Sequence, residues 1–207
     1  MSEIIVVGLS HHATPLEVRE RLSVATEAVA SEMEGLLERA PLAEGVLLST
    51  CNRVELYAVT PDPRDAVRAI REYLHSRALG DDLDEYLYER RGADAVRHAF
   101  RVASSLDSMV VGEPQILGQV KSAYQAAESA GSLGTLLGRC FTRAFAVAKR
   151  VRTETEIAAG TVSISSIAIE LASKIFGDLS GRRALLVGAG EMGEAAARSL
   201  AARGVWL

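Results

Sequence analysis

The chain has 207 residues, 48% of them hydrophobic and 24% charged, with a formal net charge of −4. That length and apolar content allow one full domain and part of another, and they exclude a disordered tail. No run of about 18 apolar residues is present and no basic region precedes the first strand, so neither a transmembrane helix nor a signal peptide is expected. The cytoplasm is the expected compartment. The acidic balance argues against non-specific nucleic-acid affinity but leaves room for a local basic patch.

Ile4 to Ser10 reads as a first strand, followed by a short helix with Pro15 at a first-turn position. A second helix is predicted over Thr26 to Ala40, then an apolar strand over Ala43 to Leu48 and an alternating one over Val54 to Val59. Pro61 and Pro63 punctuate the chain before a helix that runs to about Leu79. Asp81 to Arg91 reads as a charged loop with one strand. From Gly92 the pattern is helical nearly to Phe176, with breaks at Ser108 to Gly112 and Gly131 to Gly134. Strands with helices first and a helical segment afterwards make α+β the expected class of the first domain.

On the helix predicted from Leu133 to Thr155, Arg139, Arg143 and Arg150 lie within about 40° of one another at 100° per residue. Such a stripe is either a solvated face or a patch for an anionic partner. Asp178-Leu179-Ser180-Gly181 is a turn cluster, after which Arg183 to Val187 reads as an apolar strand running into Gly188-Ala189-Gly190-Glu191-Met192-Gly193. A strand before this G-x-G-x-x-G and a helix over Glu191 to Arg203 after it form the context of a dinucleotide-binding turn. In such a turn Gly188 permits the bend, Gly190 the approach of pyrophosphate and Gly193 the helix-to-strand contact. A structural βα turn is the alternative. The acidic or basic residue that separates NAD from NADP is expected about 20 residues further on, so cofactor choice is not legible, and the chain is read as a fragment of a longer enzyme.

Ser49-Thr50-Cys51-Asn52-Arg53 carries the densest chemistry, with a thiol at the turn between two predicted strands beside a hydroxyl, a carboxamide and a guanidinium. Positive charge and turn N–H groups favour thiolate, the nucleophilic form. A half-buried structural cysteine is the bland alternative. Cys140, in a helical context, reads as core, and two free thiols are expected. Four histidines and two cysteines without ligand spacing give no metal site.

Four stretches taken together resemble the glutamyl-tRNA reductase family. They are Gly8-Leu9-Ser10-His11-His12-Ala13-Thr14-Pro15 with Arg19-Glu20, the segment Ser49 to Tyr57, the long stretch Ser104 to Lys121, and the glycine motif. The resemblance implies a catalytic α+β domain over residues 1–157, a helical linker over 158–180 and the start of an α/β Rossmann-type NADP-binding domain over 181–207. It implies NADPH-dependent reduction of glutamyl-tRNA to glutamate-1-semialdehyde through a thioester on Cys51, the entry step of tetrapyrrole synthesis. A cysteine-dependent hydrolase is the alternative. His98 is implied as important for activity, with general acid as its expected role. Substrate contacts are implied for Thr50, Asn52, Arg53, Ser108, Glu113, Pro114, Gln115 and Gln119, with Arg53 as the candidate fork for the glutamyl carboxylate. Cofactor contacts are implied for Gly188, Ala189, Gly190, Glu191, Met192 and Gly193. The full-length enzyme is expected to be a homodimer that hands its aldehyde to glutamate-1-semialdehyde aminomutase. His11 and His12 are given structural roles.

Overall fold

A computed structural model describes residues 2–78, 82–158, 164–188 and 190–207. Its centre is a four-stranded antiparallel sheet in the order β2-β3-β1-β4, with β1 at Glu3–Ser10, β2 at Glu44–Ser49, β3 at Arg53–Thr60 and β4 at Tyr88–Arg91. Side chains alternate across a strand, so each strand supplies two faces. Ile5, Val7 and Leu9 of β1 and Val54, Leu56 and Ala58 of β3 pack on one side, against α1 (Leu16–Leu22), α2 (Val29–Arg39) and α3 (Pro63–Arg77). Val6, Tyr57 and Val59 pack on the other, against α4 (Gly92–Ala103), α5 (Gln115–Ser129) and α6 (Thr135–Glu154). Both faces are covered, and polar residues in the strands are therefore enclosed rather than solvated.

Several boundaries follow local chemistry. The Asp62 side chain accepts from the Asp65 N–H and Pro63 opens α3, a capped start that the sequence displays. Pro114 sits just outside α5 as its N-cap residue. The start of α6 depends on a residue 92 positions away: the Glu44 carboxylate accepts from the Leu136 and Leu137 N–H groups at 3.0 and 2.7 Å. An anion at a helix N-terminus satisfies donors that have no intrahelical partner.

Beyond α6, α7 (Ile164–Phe176) and α8 (Glu191–Ala201) form a smaller cluster around Ile169, Leu179 and Val205. The strand expected over Arg183 to Val187 is reduced to one parallel bridge between Arg183 and Trp206. Two short segments give too few ladder bonds to define a strand, and Leu185 and Val187 are exposed. Among the described residues no helix is long and apolar enough to cross a membrane.

Candidate active site

Cys51 and Asn52 form the tip of the β2–β3 hairpin, whose last paired residues are Ser49 and Val54. The Thr50 N–H donates to the Arg53 carbonyl at 2.8 Å, while the Thr50 hydroxyl accepts from the N–H groups of both Asn52 and Arg53 at 3.2 Å. A side-chain oxygen thus does the work of a backbone acceptor at the turn. The tip is held without burying the thiol, and Cys51 is exposed. Cys140 is buried, and burial pushes its thiol up to about 11.

The tip faces the start of α5. One narrow recess is lined by Thr50, Cys51, Asn52, Arg53, Ser108, Glu113, Gln115, Ile116 and Gln119. Every residue singled out for substrate contact except Pro114 lines it, and Pro114 stands between two that do. His98 does not. It lines a second recess of about 340 Å³ with Arg90, Asp94, Arg97, Arg101 and Asp107.

Between the two recesses lies a buried ionic chain that sequence reasoning missed. Arg53, Glu55 and Tyr57 alternate onto the same face of β3 as the helices α4 to α6. Arg53 and Glu55 are 1% and 0% exposed. Arg53 Nη1 donates to Glu55 Oε1 at 2.5 Å, and Nη2 donates to the carbonyl of Asp107 and, at 3.2 Å, to its Oδ2. Glu55 also accepts from the hydroxyls of Tyr57, at 2.5 Å, and Tyr88, and its Oε1 lies 2.9 Å from His98 Nε2. Burial alone opposes ionisation of Glu55, but Arg53 and the His98 and Tyr57 hydrogen bonds outweigh it and hold the carboxyl well below the usual carboxylate range. Burial likewise opposes the Arg53 charge, and Glu55 leads the groups that reverse the shift. The Tyr57 and Tyr88 phenols are pushed up, first by burial and then by the Glu55 charge.

An ionised Glu55 fixes the histidine. The nitrogen that faces it must donate, so Nε2 carries a proton and Nδ1 is the only ring nitrogen left for other chemistry. Gly8 explains how Tyr88 reaches Glu55 across an intervening strand. Gly8 of β1 pairs with Glu55 on one side and Tyr88 on the other, and a Cβ there would come within 2.9 Å of Glu55 Cγ and 2.4 Å of the Val54 carbonyl. The absent side chain is the space that the network fills.

The segment 104–114 carries Asp107 and Ser108 to the site. Ser105 does not continue the α4 face of His98 and Val102, because the helix stops at Ala103 and Ser105 adopts a φ of 60°. Its hydroxyl lies 3.3 Å from that of Ser108. The N-terminal histidines also adjoin the site: the His11 N–H donates to the Asn52 carbonyl at 2.8 Å, and His12 Nε2 lies 3.6 Å from Asp107 Oδ1. On α6, Arg139 and Arg143 are exposed, while Arg150 pairs with Glu154 at 2.9 Å.

Gly188 has a φ of 107°, and a Cβ on Gly193 would approach the Gly188 carbonyl to 2.8 Å. Gly190 is the N-cap residue of α8, and among the described residues no side chain caps that helix. Ala189 lies outside the described residues, and Glu191 and Met192 open α8.

Residues 7–155 match the family described as glutamyl-tRNAGlu reductase, N-terminal domain, and residues 170–206 match shikimate / quinate 5-dehydrogenase. The chain is 52% identical over 197 residues to a glutamyl-tRNA reductase from Pelobacter propionicus, covering 94% of this chain and 45% of that protein. It is 49% identical over 205 residues to one from Magnetococcus marinus, covering 98% and 49%. The solved structure of glutamyl-tRNA reductase from Methanopyrus kandleri superposes with a TM-score of 0.65 at 42% identity, over 98% of this chain and 47% of that one. This chain thus spans about half the length of the curated relatives it matches. With a family model matched over residues 7–155 and relatives about half identical over nearly all of its length, the chain belongs to the glutamyl-tRNA reductase family.

Proposed function

We propose that this chain supplies the acyl-transfer half of an NADPH-dependent reduction of glutamyl-tRNA to glutamate-1-semialdehyde. The observation that carries this reading is the exposed Cys51, which lines one recess together with Thr50, Asn52, Arg53, Ser108 and Glu113. Cys51 thiolate attacks the ester carbonyl, the carbon–oxygen bond to the ribose breaks, and a thioester forms as tRNA leaves with a proton on its hydroxyl. NADPH, when bound, supplies the hydride that releases the aldehyde. Gly188 and Gly193 shape the turn for its pyrophosphate, and the α8 N-terminus provides donors.

Arg53 is the proposed fork for the glutamyl carboxylate, held rigid by Glu55 and counted among the residues that line the recess. His98 is better read as a positioning residue than as general acid. Its Nε2 is committed to Glu55, and its ring lies against the second recess. The proposed organisation is a catalytic domain over 1–157, a linker over 158–180 and a dinucleotide-binding start over 181–207. The complete protein would work in the cytoplasm as a homodimer, passing its aldehyde to an aminomutase.

Incubating the chain with labelled glutamyl-tRNA should leave glutamate on the wild-type protein, released by added thiol, and none on Cys51→Ser. Equal label on the serine variant would remove Cys51 from the mechanism. Rapid release of free glutamate without cofactor would favour hydrolysis.

A further inference from the structure

Among the described residues seven buried side-chain polar atoms have no hydrogen-bond partner, and four of them fall within residues 11–19: His11 Nδ1, Thr14 Oγ1, and Nε and Nη1 of Arg19. The concentration matters because the other three are scattered over Tyr73, Arg77 and Arg152. Arg19 is the anomaly. It lies on the buried side of α1, 6% exposed, and none of the ion pairs among the described residues includes it. A guanidinium cannot shed its proton, so a buried and unpaired one is costly unless an anion meets it.

The segment is fastened to the nucleophile hairpin at both ends. The His11 N–H holds the Asn52 carbonyl, and beyond α1 the Val24 N–H donates to Ser49 Oγ at 2.9 Å. The imidazole of His11 is held below its ordinary value by burial first, then by the charges of His12, Arg53 and Arg19. The two arginines differ in one respect. Arg53 is met by Glu55 and Asp107, whereas Arg19 has no carboxylate.

We propose that His11, Thr14 and Arg19 form an oxyanion-binding subsite beside the Cys51 hairpin, which takes a carboxylate or phosphate oxygen of the substrate. The source of the oxyanion rests on the substrate proposed above, since glutamyl-tRNA carries two such groups near its ester: the phosphodiester of the terminal nucleotide, and the glutamyl side-chain carboxylate, which Arg19 would then share with or take from Arg53. Arg19 supplies the charge, and Thr14 Oγ1 and His11 Nδ1 are the neutral partners available to the same ligand.

The test titrates the chain, at fixed ionic strength, with inorganic phosphate and separately with glutarate, following the arginine Nε–H resonances by NMR. One resonance, identified by its loss in Arg19→Lys, should shift saturably with one of the two anions. Thermal-shift titration of Arg19→Gln should show affinity for that anion weakened about tenfold or more, as loss of a charge-assisted pair predicts. A response to phosphate alone assigns the nucleotide phosphodiester, and one to glutarate alone assigns the carboxylate. If no arginine resonance of the wild-type chain shifts saturably with either anion, the subsite is overturned, and that result needs no variant to fold. Neither titration involves acylation of Cys51, so failure of the subsite and failure of the proposed function give different results.

Discussion

Glu55→Gln keeps the shape of the side chain while removing the charge at the centre of the buried network, so it isolates the ionic contribution. Four donors converge on the carboxylate, from Arg53, Tyr57, Tyr88 and His98. A glutamine offers one oxygen and turns an NH₂ toward groups that also donate. Arg53, 1% exposed, is then left with Asp107 alone. Breaking a buried pair by removing one partner costs about 3–5 kcal/mol. For a chain of this length that corresponds to a fall in Tm of roughly 10 °C. The Glu55 carboxyl is depressed in the folded state, so its contribution is present above the unfolded-state value, about 4.3, and is lost as pH falls toward the folded value. Urea unfolding followed by circular dichroism at pH 7 should therefore show the full difference between wild type and Glu55→Gln, and the difference should narrow only below about pH 4. A difference under about 1 kcal/mol at pH 7, or one that is unchanged at pH 3, would refute the ionised network.

Gly8→Ala should destabilise the domain by about 1–3 kcal/mol, because its Cβ meets the backbone of Val54 and Glu55 rather than a movable side-chain tip. It should also slow acylation of Cys51, and a variant with wild-type stability and acylation rate would show that the close approach across β1 is not needed. Iodoacetamide at pH 7 should alkylate Cys51 and spare Cys140, whose thiol is pushed up to about 11 by burial. Peptide mapping that finds Cys140 modified as fast as Cys51 would contradict the burial.

The parts of the fold that were legible in the sequence depend on neighbours along the chain. Alternation in Val54 to Val59 identifies β3, the Pro61 and Pro63 pair locates the entry to α3, and polar residues between two apolar runs mark the hairpin at Cys51. Glu55 was not legible. An acid at every second position from Arg53 and Tyr57 is the only local signal, and its partners His98 and Tyr88 come from α4 and β4, 43 and 33 residues away. Arg53 was legible as a site residue, but its two carboxylate partners were not, and Asp107 has no assigned role within the stretch Ser104 to Lys121. The Arg183 to Val187 run erred in the other direction, since an apolar pattern describes what a strand would bury and a strand exists only where a sheet accepts it.

The ionic chain also bears on how a carboxylate substrate can reach an arginine that already has two acidic partners. Asp107, Arg53 and Glu55 together carry one surplus negative charge, which disfavours an incoming carboxylate as long as both acids stay on the guanidinium. The two acids differ in their alternatives. Glu55 is fully buried and bound by two tyrosines and His98, and removing it would leave donors orphaned. Asp107 is 17% exposed at its side chain, and its Oδ1 already lies 3.8 Å from Arg101 and 3.6 Å from His12. Yielding its contact with Nη2 of Arg53 thus leaves the Asp107 carboxylate beside Arg101 and His12 rather than without a partner. In the proposed reaction the substrate carboxylate takes the place of the Asp107 carboxylate while Nη2 keeps the Asp107 carbonyl and Glu55 keeps the guanidinium plane fixed, so the exchange costs the contact at 3.2 Å and not the buried pair at 2.5 Å.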